Sequence, residues 1–295
     1  MSALLRIDLH THSTASDGVL APAELARAAR AAGLDVIGLT DHDSTAGVAE
    51  AQAAGEQIGL RVVAGIEVNT DLPGGEAHVL GYFVEHAQAQ FQRTLTVLRE
   101  ARALRGERMV ARLRAAGLDV SWERVRELAQ GAVGRPHVAR ALIERGYATS
   151  VDDAFARWLG RGRPGYVSRM KLAPAEAVRF IRSAWGVPVL AHPAGIADLE
   201  TSVLPDLVAA GLLGLECYYG QYDDATVRHL LALADARGLI ATGGSDYHGP
   251  NMHPTPLGGR AVPPAALTAL ERAAADLRRA PAVPFALPAG EEDGG

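Results

Sequence analysis

Cysteine is almost missing from this chain of 295 residues: Cys217 is the only one. That excludes an intramolecular disulfide and any cluster of thiolate metal ligands. Its setting, Gly-Leu-Glu-Cys-Tyr-Tyr, reads as a buried strand, so the thiol is expected to be an inert core group. Lysine is equally scarce, with Lys171 the sole example and arginine supplying the other basic side chains. No apolar run approaches the roughly 20 residues that a membrane span needs. The opening Met-Ser-Ala-Leu-Leu-Arg is too short for a signal peptide and leads at once into a strand. A cytoplasmic chain is the expectation. Positive charge is also in short supply, the net charge being −5, which argues against a broad nucleic-acid-coating surface. A small anionic substrate stays open, because bound metal ions would reverse the local field.

What is present is apolar material, 48% of the residues, in short Val/Ile/Leu runs alternating with Ala/Leu/Arg/Glu stretches of helical period. Strands are expected at Leu5 to His10, Val36 to Thr40, Arg61 to Asn69 and Ala77 to Val84, the last following the turn Pro73-Gly74-Gly75. Helices are expected from about Pro22, with proline at a first-turn position, and from about Thr45. After a gap the pattern resumes with helix Pro174 to Trp185, strand Val187 to His192 and a helix near Leu204 to Ala210. Strand Gly214 to Tyr218, helix Asp223 to Arg237 and strand Leu239 to Ser245 complete it. Strands alternating with helices imply parallel pairing in a closed or distorted barrel of seven or so strands. The α/β barrel is assigned to residues 1–94 and 171–285. Residues 95–170 read as helical throughout and are taken as an α-helical insertion capping the barrel mouth. Residues 286–295 read as a solvated tail.

The chemistry lies in what ends each strand. The first delivers Asp8-Leu9-His10-Thr11-His12, with Asp17 close behind, and the second delivers Thr40-Asp41-His42. Glu67 and His78 come from the next two, Ala191-His192-Pro193 from a later one, and Ser245-Asp246-Tyr247-His248 from the last. A His-x-His pair on a strand points both imidazoles to one side, because side chains alternate. Imidazole mixed with carboxylate suits Mn²⁺, Fe²⁺ or Zn²⁺. Nine such residues at strand ends, where barrels place their reactive groups, predict a site for two or three divalent ions. Such ions lower the pKa of bound water towards about 7 and neutralise phosphoryl oxygens. A hydroxide held near Glu67, Asp246 and His248 is the expected nucleophile, since no side-chain nucleophile is evident.

These motifs together resemble those of the PHP (polymerase and histidinol phosphatase) family from about residue 6 to 260. The resemblance implies a distorted (β/α)₇ barrel with a trinuclear metal site. It implies His10, His12, Glu67 and Asp246 on one ion, and Asp17, His42 and His248 on a second. Glu67 would bridge to a third ion held with His78 and His192. Asp17 stands where some members have histidine, a substitution that leaves a hard oxygen ligand. Asp41 is read as a residue orienting a ligand.

Gly134-Arg135-Pro136-His137-Val138-Ala139-Arg140 and Gly165-Tyr166-Val167-Ser168-Arg169 resemble segments of one subfamily. It contains 3′,5′-nucleoside bisphosphate phosphatases and a 5′→3′ exoribonuclease. Arg135, His137, Arg169 and Lys171 are therefore candidates to grip substrate phosphate, arginine by paired hydrogen bonds and the first two beside a helix start that favours anions. Arg105 and Arg108 on the long helix read as a solvated charged face in preference to side chains turned to the barrel mouth. The expected substrates are a small nucleotide bisphosphate or a short RNA 5′ end, with no obligate protein partner. Alternatives are a histidinol-phosphate phosphatase, a non-catalytic metal-binding module, and metal-dependent C–N hydrolysis. The last commonly uses a carbamylated lysine, and Lys171 lies in the cap region.

Overall fold

Two helices begin with the same four residues, Ala-Pro-Ala-Glu, and for the same reason. Proline fixes φ where a backbone donor is not needed, and the glutamate three residues past the cap reaches back. Glu24 accepts the Ala21 N–H at 3.0 Å and Glu176 the Ala173 N–H at 2.7 Å. The computed structural model describes residues 5–72, 75–129, 133–160, 162–167, 172–250, 252 and 254–287. In chain order, β1 (Ile7–Thr11), α1 (Pro22–Ala31), β2 (Val36–Leu39), α2 (Val48–Ile58), β3 (Arg61–Leu72) and β4 (Gly75–Tyr82) come first. Then follow α3 (Ala89–Ala115), α4 (Trp122–Ala129), α5 (Arg135–Glu144) and α6 (Val151–Ala154), the last running into a π-helical turn at Phe155–Leu159. The chain finishes with α7 (Pro174–Ser183), β5 (Val187–Leu190), α8 (Leu204–Ala210), β6 (Gly214–Tyr219), α9 (Asp224–Ala236), β7 (Ile240–Gly244) and α10 (Pro264–Arg279).

The seven strands form one sheet in sequential order from β1 to β7. Its ends approach each other just past β7: Asp246 N–H donates to His10 O and His12 N–H to Tyr247 O. This is the nearly closed seven-stranded α/β barrel that the sequence predicts, with three differences. Pairing is not parallel throughout, because β4 is antiparallel to both β3 and β5. Only residues 73 and 74 separate β3 from β4, far fewer than the dozen or so a parallel crossover needs. A second difference is α10, beyond the last expected strand, which packs Leu267 and Leu270 into the cluster containing Leu9, Val187 and Val189. The first strand is also displaced, running to Thr11 rather than stopping at His10.

The described chain divides into two compact units, one of Met1–Arg93 with Lys171–Pro288, the other of Thr94–Met170. The second has its own core of Met109, Leu113, Val125, Val138, Leu142 and Leu159. Among the described residues no helix is long and apolar enough to cross a membrane.

Candidate metal centre

Strand geometry alone brings the first groups together. His10 on β1 and His12, one residue past its end, both turn Nε2 towards Glu67, and both are fully buried. His42 lies just past β2 and forms a parallel bridge with Glu67 of β3. His78 sits in the first half of β4, opposite Asn69. Because β4 runs backwards, that half lies at the barrel end where the other strands finish. His192 follows β5 with φ of 27°. Asp246 follows β7 with φ of 55°, a left-handed conformation that aspartate tolerates better than most residues. Gly244 is required between them, since a side chain there would run into His10 N.

All these side chains converge on Glu67. Its Oε2 lies 3.1 Å from His10 Nε2, 3.2 Å from His12 Nε2 and 3.2 Å from His42 Nδ1. Its Oε1 lies 2.9 Å from His78 Nδ1 and 3.2 Å from His192 Nε2. Asp246 Oδ1 stands 3.1 Å from His12 Nε2, and Asp17 Oδ1 3.4 Å from His248 Nε2. Donors held about 2.1 Å from one ion stand roughly 3.0–3.4 Å apart at octahedral or tetrahedral angles. The observed spacings are of that size. Three groups have ligand atoms mutually within 4.8 Å: His10, His12, Glu67 and Asp246; His12, Asp17, His42 and His248; and His42, Glu67 and His78. His12 Nδ1 and Nε2, Asp17 Oδ1, His42 Nδ1 and His78 Nε2 are buried yet make no hydrogen bond. Buried polar atoms without partners are costly, and cations at this site would satisfy them. The donor set therefore fits divalent metal ions.

Electrostatics tell the same story. Burial alone would push Glu67 up, but His42, His10 and His78 override it and hold its carboxyl well below the usual range. Asp246 is likewise held well below that range, His10 and His12 overcoming its burial. His12 would be pushed down by burial, yet the adjacent carboxylates of Asp246 and Glu67 bring it up to about 10. His42 goes the other way, its burial prevailing over Glu67 and Asp17 to take it down to about 3. In the metal-free site, carboxylates and imidazoles share protons where ions would otherwise sit.

The PHP domain family matches residues 8–156, just over half of the chain. The chain belongs to the PHP domain family. A 3′,5′-nucleoside bisphosphate phosphatase from Chromobacterium violaceum is 34% identical over 253 residues, covering 84% of this chain and 88% of that one. The 5′-3′ exoribonuclease Rnm of Escherichia coli (strain K12) is 36% identical over 250 residues, covering 82% of this chain and 85% of the relative. A solved structure from Bifidobacterium adolescentis, assigned as a metal-dependent phosphoesterase, superposes with a TM-score of 0.80 at 29% identity, covering 90% of this chain and 96% of that one.

Within this PHP domain the expected residues fall into place unevenly. All nine candidate ligands lie close together, five buried and Asp17, His78, His192 and His248 partly buried, but the grouping differs from expectation in two details. His12 also joins the Asp17 group, and His42 rather than His192 completes the group of Glu67 and His78. Asp41 works through the loop that carries Asp17: it accepts from Ser13 N–H, Ser13 Oγ–H and Ser16 Oγ–H at 2.6–2.7 Å. In the helical unit, Arg135 opens α5 with its guanidinium 5.1 Å from the Phe155 ring centroid. His137 is buried, and its Nδ1 accepts the Gly134 N–H at 2.9 Å, which is helix capping. Arg105 corrects the solvated-face reading: it is buried, donating to Val167 O and lying over Tyr166. Arg108 is exposed as expected. Arg169 and Lys171 lie outside the described residues. Cys217 is fully buried, and burial with neighbouring Glu216 pushes its thiol up to about 12, as an inert group requires.

Sequence reasoning missed three buried supports, Asp8, Glu216 and Tyr219. The signal was there for Glu216, a charged residue in the middle of an otherwise apolar strand.

Proposed function

We propose that this protein is a cytoplasmic metal-dependent phosphoesterase that removes the 3′-phosphate from nucleoside 3′,5′-bisphosphates, acts on short RNA 5′ ends, or does both. Both reactions break a phosphoester bond 3′ to a nucleoside, so one site serves either. The observation that carries the reading is the convergence of five histidines on the two oxygens of Glu67 at ligand spacing. His10, His12, Glu67 and Asp246 would hold one ion, Asp17, His42 and His248 a second, and His78 and His192 a third shared through Glu67. Nitrogen and oxygen donors without thiolate favour Mn²⁺, with Fe²⁺ and Zn²⁺ as the other candidates. Bound ions would supply water activation and neutralise charge on the phosphoryl group. The chain's own task is to fix donor geometry. His248 Nδ1–H donates to Asp246 O, leaving Nε2 towards Asp17. The relatives that act on a nucleoside bisphosphate and on RNA support the substrate class.

The test is phosphate release from 3′-phosphoadenosine 5′-phosphate by chelator-treated protein after adding Mn²⁺, alongside a short 5′-phosphorylated RNA and histidinol phosphate. Rapid Mn²⁺-dependent turnover of either nucleotide substrate is expected. Turnover of histidinol phosphate alone, or none with metal demonstrably bound, would overturn the assignment.

Two further outcomes follow. Metal uptake must eject the proton from His12, so Mn²⁺ affinity should rise with pH towards about 10. Calorimetric titration in buffers of different ionisation enthalpy will count the protons released; a count of zero at pH 7.5 contradicts the shared-proton picture. For substrate binding, Arg135 is proposed as a phosphate-binding residue, with His137, Arg169 and Lys171 as secondary candidates. Arg135→Ala should raise KM by roughly 10- to 100-fold with kcat little changed, and Arg135→Lys should restore only part of it.

A further inference from the structure

Among the barrel strands β6 stands apart, for it contributes none of the nine candidate ligands. It carries instead two buried polar side chains aimed at them. Strand residues alternate sides, so Glu216 and Tyr219, three apart, would ordinarily face opposite ways. The pairing of β6 with β7 slips between Glu216 and Tyr218: Glu216 lies opposite Thr242, while Tyr218 already lies opposite Gly243. An irregularity of this kind re-aims the side chains beyond it. Gly243 fits the same arrangement, since a Cβ there would meet the Tyr218 backbone at 2.3 Å.

Glu216 is fully buried and uses both oxygens. Oε1 lies 2.9 Å from His10 Nδ1, and Oε2 accepts the His192 backbone N–H at 2.8 Å. A carboxylate can only accept, so it keeps the proton on His10 Nδ1 and turns the Nε2 lone pair towards Glu67 and Asp246. Its second bond pins His192 at φ of 27° and ψ of 57°, a sparsely populated conformation that persists only when its surroundings enforce it. Tyr219 does for Asp246 what Glu216 does for His10. Its hydroxyl donates to Asp246 Oδ2 at 2.9 Å, leaving Oδ1 facing His10 and His12. Gln221 Nε2–H donates in turn to the Tyr219 oxygen at 3.1 Å, which favours the hydroxyl proton pointing at Asp246.

We infer that β6 is the positioning strand of the metal centre: Glu216 fixes the tautomer of His10 and the backbone of His192, and Tyr219 fixes the oxygen that Asp246 offers. The inference rests on the cluster being a metal centre, but not on which phosphoester is cleaved. Neither residue touches the reacting atoms. Both act through groups that would hold the ions, and such partners typically govern affinity by 10- to 100-fold.

The experiment is Mn²⁺ titration of chelator-treated wild type, Glu216→Gln, Glu216→Asp and Tyr219→Phe, read by electron paramagnetic resonance of free Mn²⁺ and run beside thermal melts. Glutamine fills the space of Glu216 but cannot accept on both sides. Glu216→Gln should therefore weaken at least one Mn²⁺ site by roughly 10- to 100-fold at near-native Tm. Glu216→Asp keeps the charge one methylene too short and should bind with intermediate affinity. Tyr219→Phe should weaken binding by about tenfold, and it tests the inference even should both Glu216 variants fail to fold. A purely structural role would lower Tm and leave the affinity of the folded protein unchanged. Unaltered affinity in every folded variant would overturn the inference while leaving the metal centre standing. A wild type that takes up no Mn²⁺ would sink the metal centre and the inference with it.

Discussion

Glu67→Gln is expected to reduce kcat by roughly a thousandfold or more with saturating Mn²⁺ and either nucleotide substrate. The substitution is nearly isosteric, so the loss cannot be put down to a cavity. Glu67 is fully buried on β3, and its oxygens divide the histidines: His10, His12 and His42 on one side, His78 and His192 on the other. An amide keeps one acceptor oxygen and presents N–H to the other set, where it repels a cation and cannot bridge. Charge falls by one at the point shared by the proposed ion sites, so occupancy should fall at more than one of them. Metal counting by elemental analysis separates this from a defect in chemistry alone. His78→Ala, which removes one outlying donor, should lose less. Activity of Glu67→Gln within tenfold of wild type would refute the bridging role.

The same residue gives a pH-dependent outcome in metal-free protein. Burial raises the Glu67 carboxyl but His42, His10 and His78 hold it well below its ordinary 4.5. A depressed folded value means that ionised Glu67 stabilises the fold above pH 4.5 and loses that contribution as the pH falls below it. Chelated wild type should exceed Glu67→Gln in stability at neutral pH, and the gap should narrow in acid. A gap that widens on acidification would contradict the sign.

How legible this site was in the sequence depended on which physical rule governed each residue. His10 and His12 obey strand alternation, so their shared direction could be read from spacing alone. Their neighbours at the other strand ends followed once the strands were recognised, since barrel architecture collects those ends. The direction of β4 was less accessible, because a strand reads the same in either direction. Only the two-residue link to β3 reveals the hairpin. His78 is a candidate from the sequence without regard to strand direction, and the reversed strand is what brings the early residues of β4 to the reactive end. Tyr219 lay beyond reach for a different reason: its inward aim depends on the slipped β6–β7 pairing, and pairing is a property of two strands. Arg105 departs from the solvated-face expectation because its guanidinium is committed to Val167 O, a partner that helical charge patterning does not reveal. His137 shows a further limit, since the motif that suggested anion contact also encodes a helix cap.

Asp8→Ala is expected to cost about 4 kcal/mol of stability in chelated protein, a fall of roughly 10 °C in the Tm of the barrel transition. Asp8 is fully buried two residues before His10 and closes the seam between the first and last strands. Its Oδ1 accepts from Ser245 N–H at 2.9 Å and His10 N–H at 3.3 Å, and its Oδ2 from Ser245 Oγ–H at 2.6 Å and Gly258 N–H at 2.8 Å. Alanine strands these donors in a dry interior. The charge itself is not the source of the stabilisation. Burial raises the Asp8 carboxyl despite its donors, so ionising it costs the folded state more than the unfolded chain. Asp8→Asn, neutral and with one acceptor oxygen intact, should therefore cost only about 1–2 kcal/mol. Calorimetry of the two variants checks the ranking, and equal losses would mean that the charge and not the hydrogen-bond geometry matters. The consequence reaches the metal centre as well. Ser245 precedes Asp246, and His10 O accepts the Asp246 N–H across the same seam. Asp8→Ala should thus weaken Mn²⁺ binding as it loosens the barrel, while Asp8→Asn binds metal nearly as the parent does.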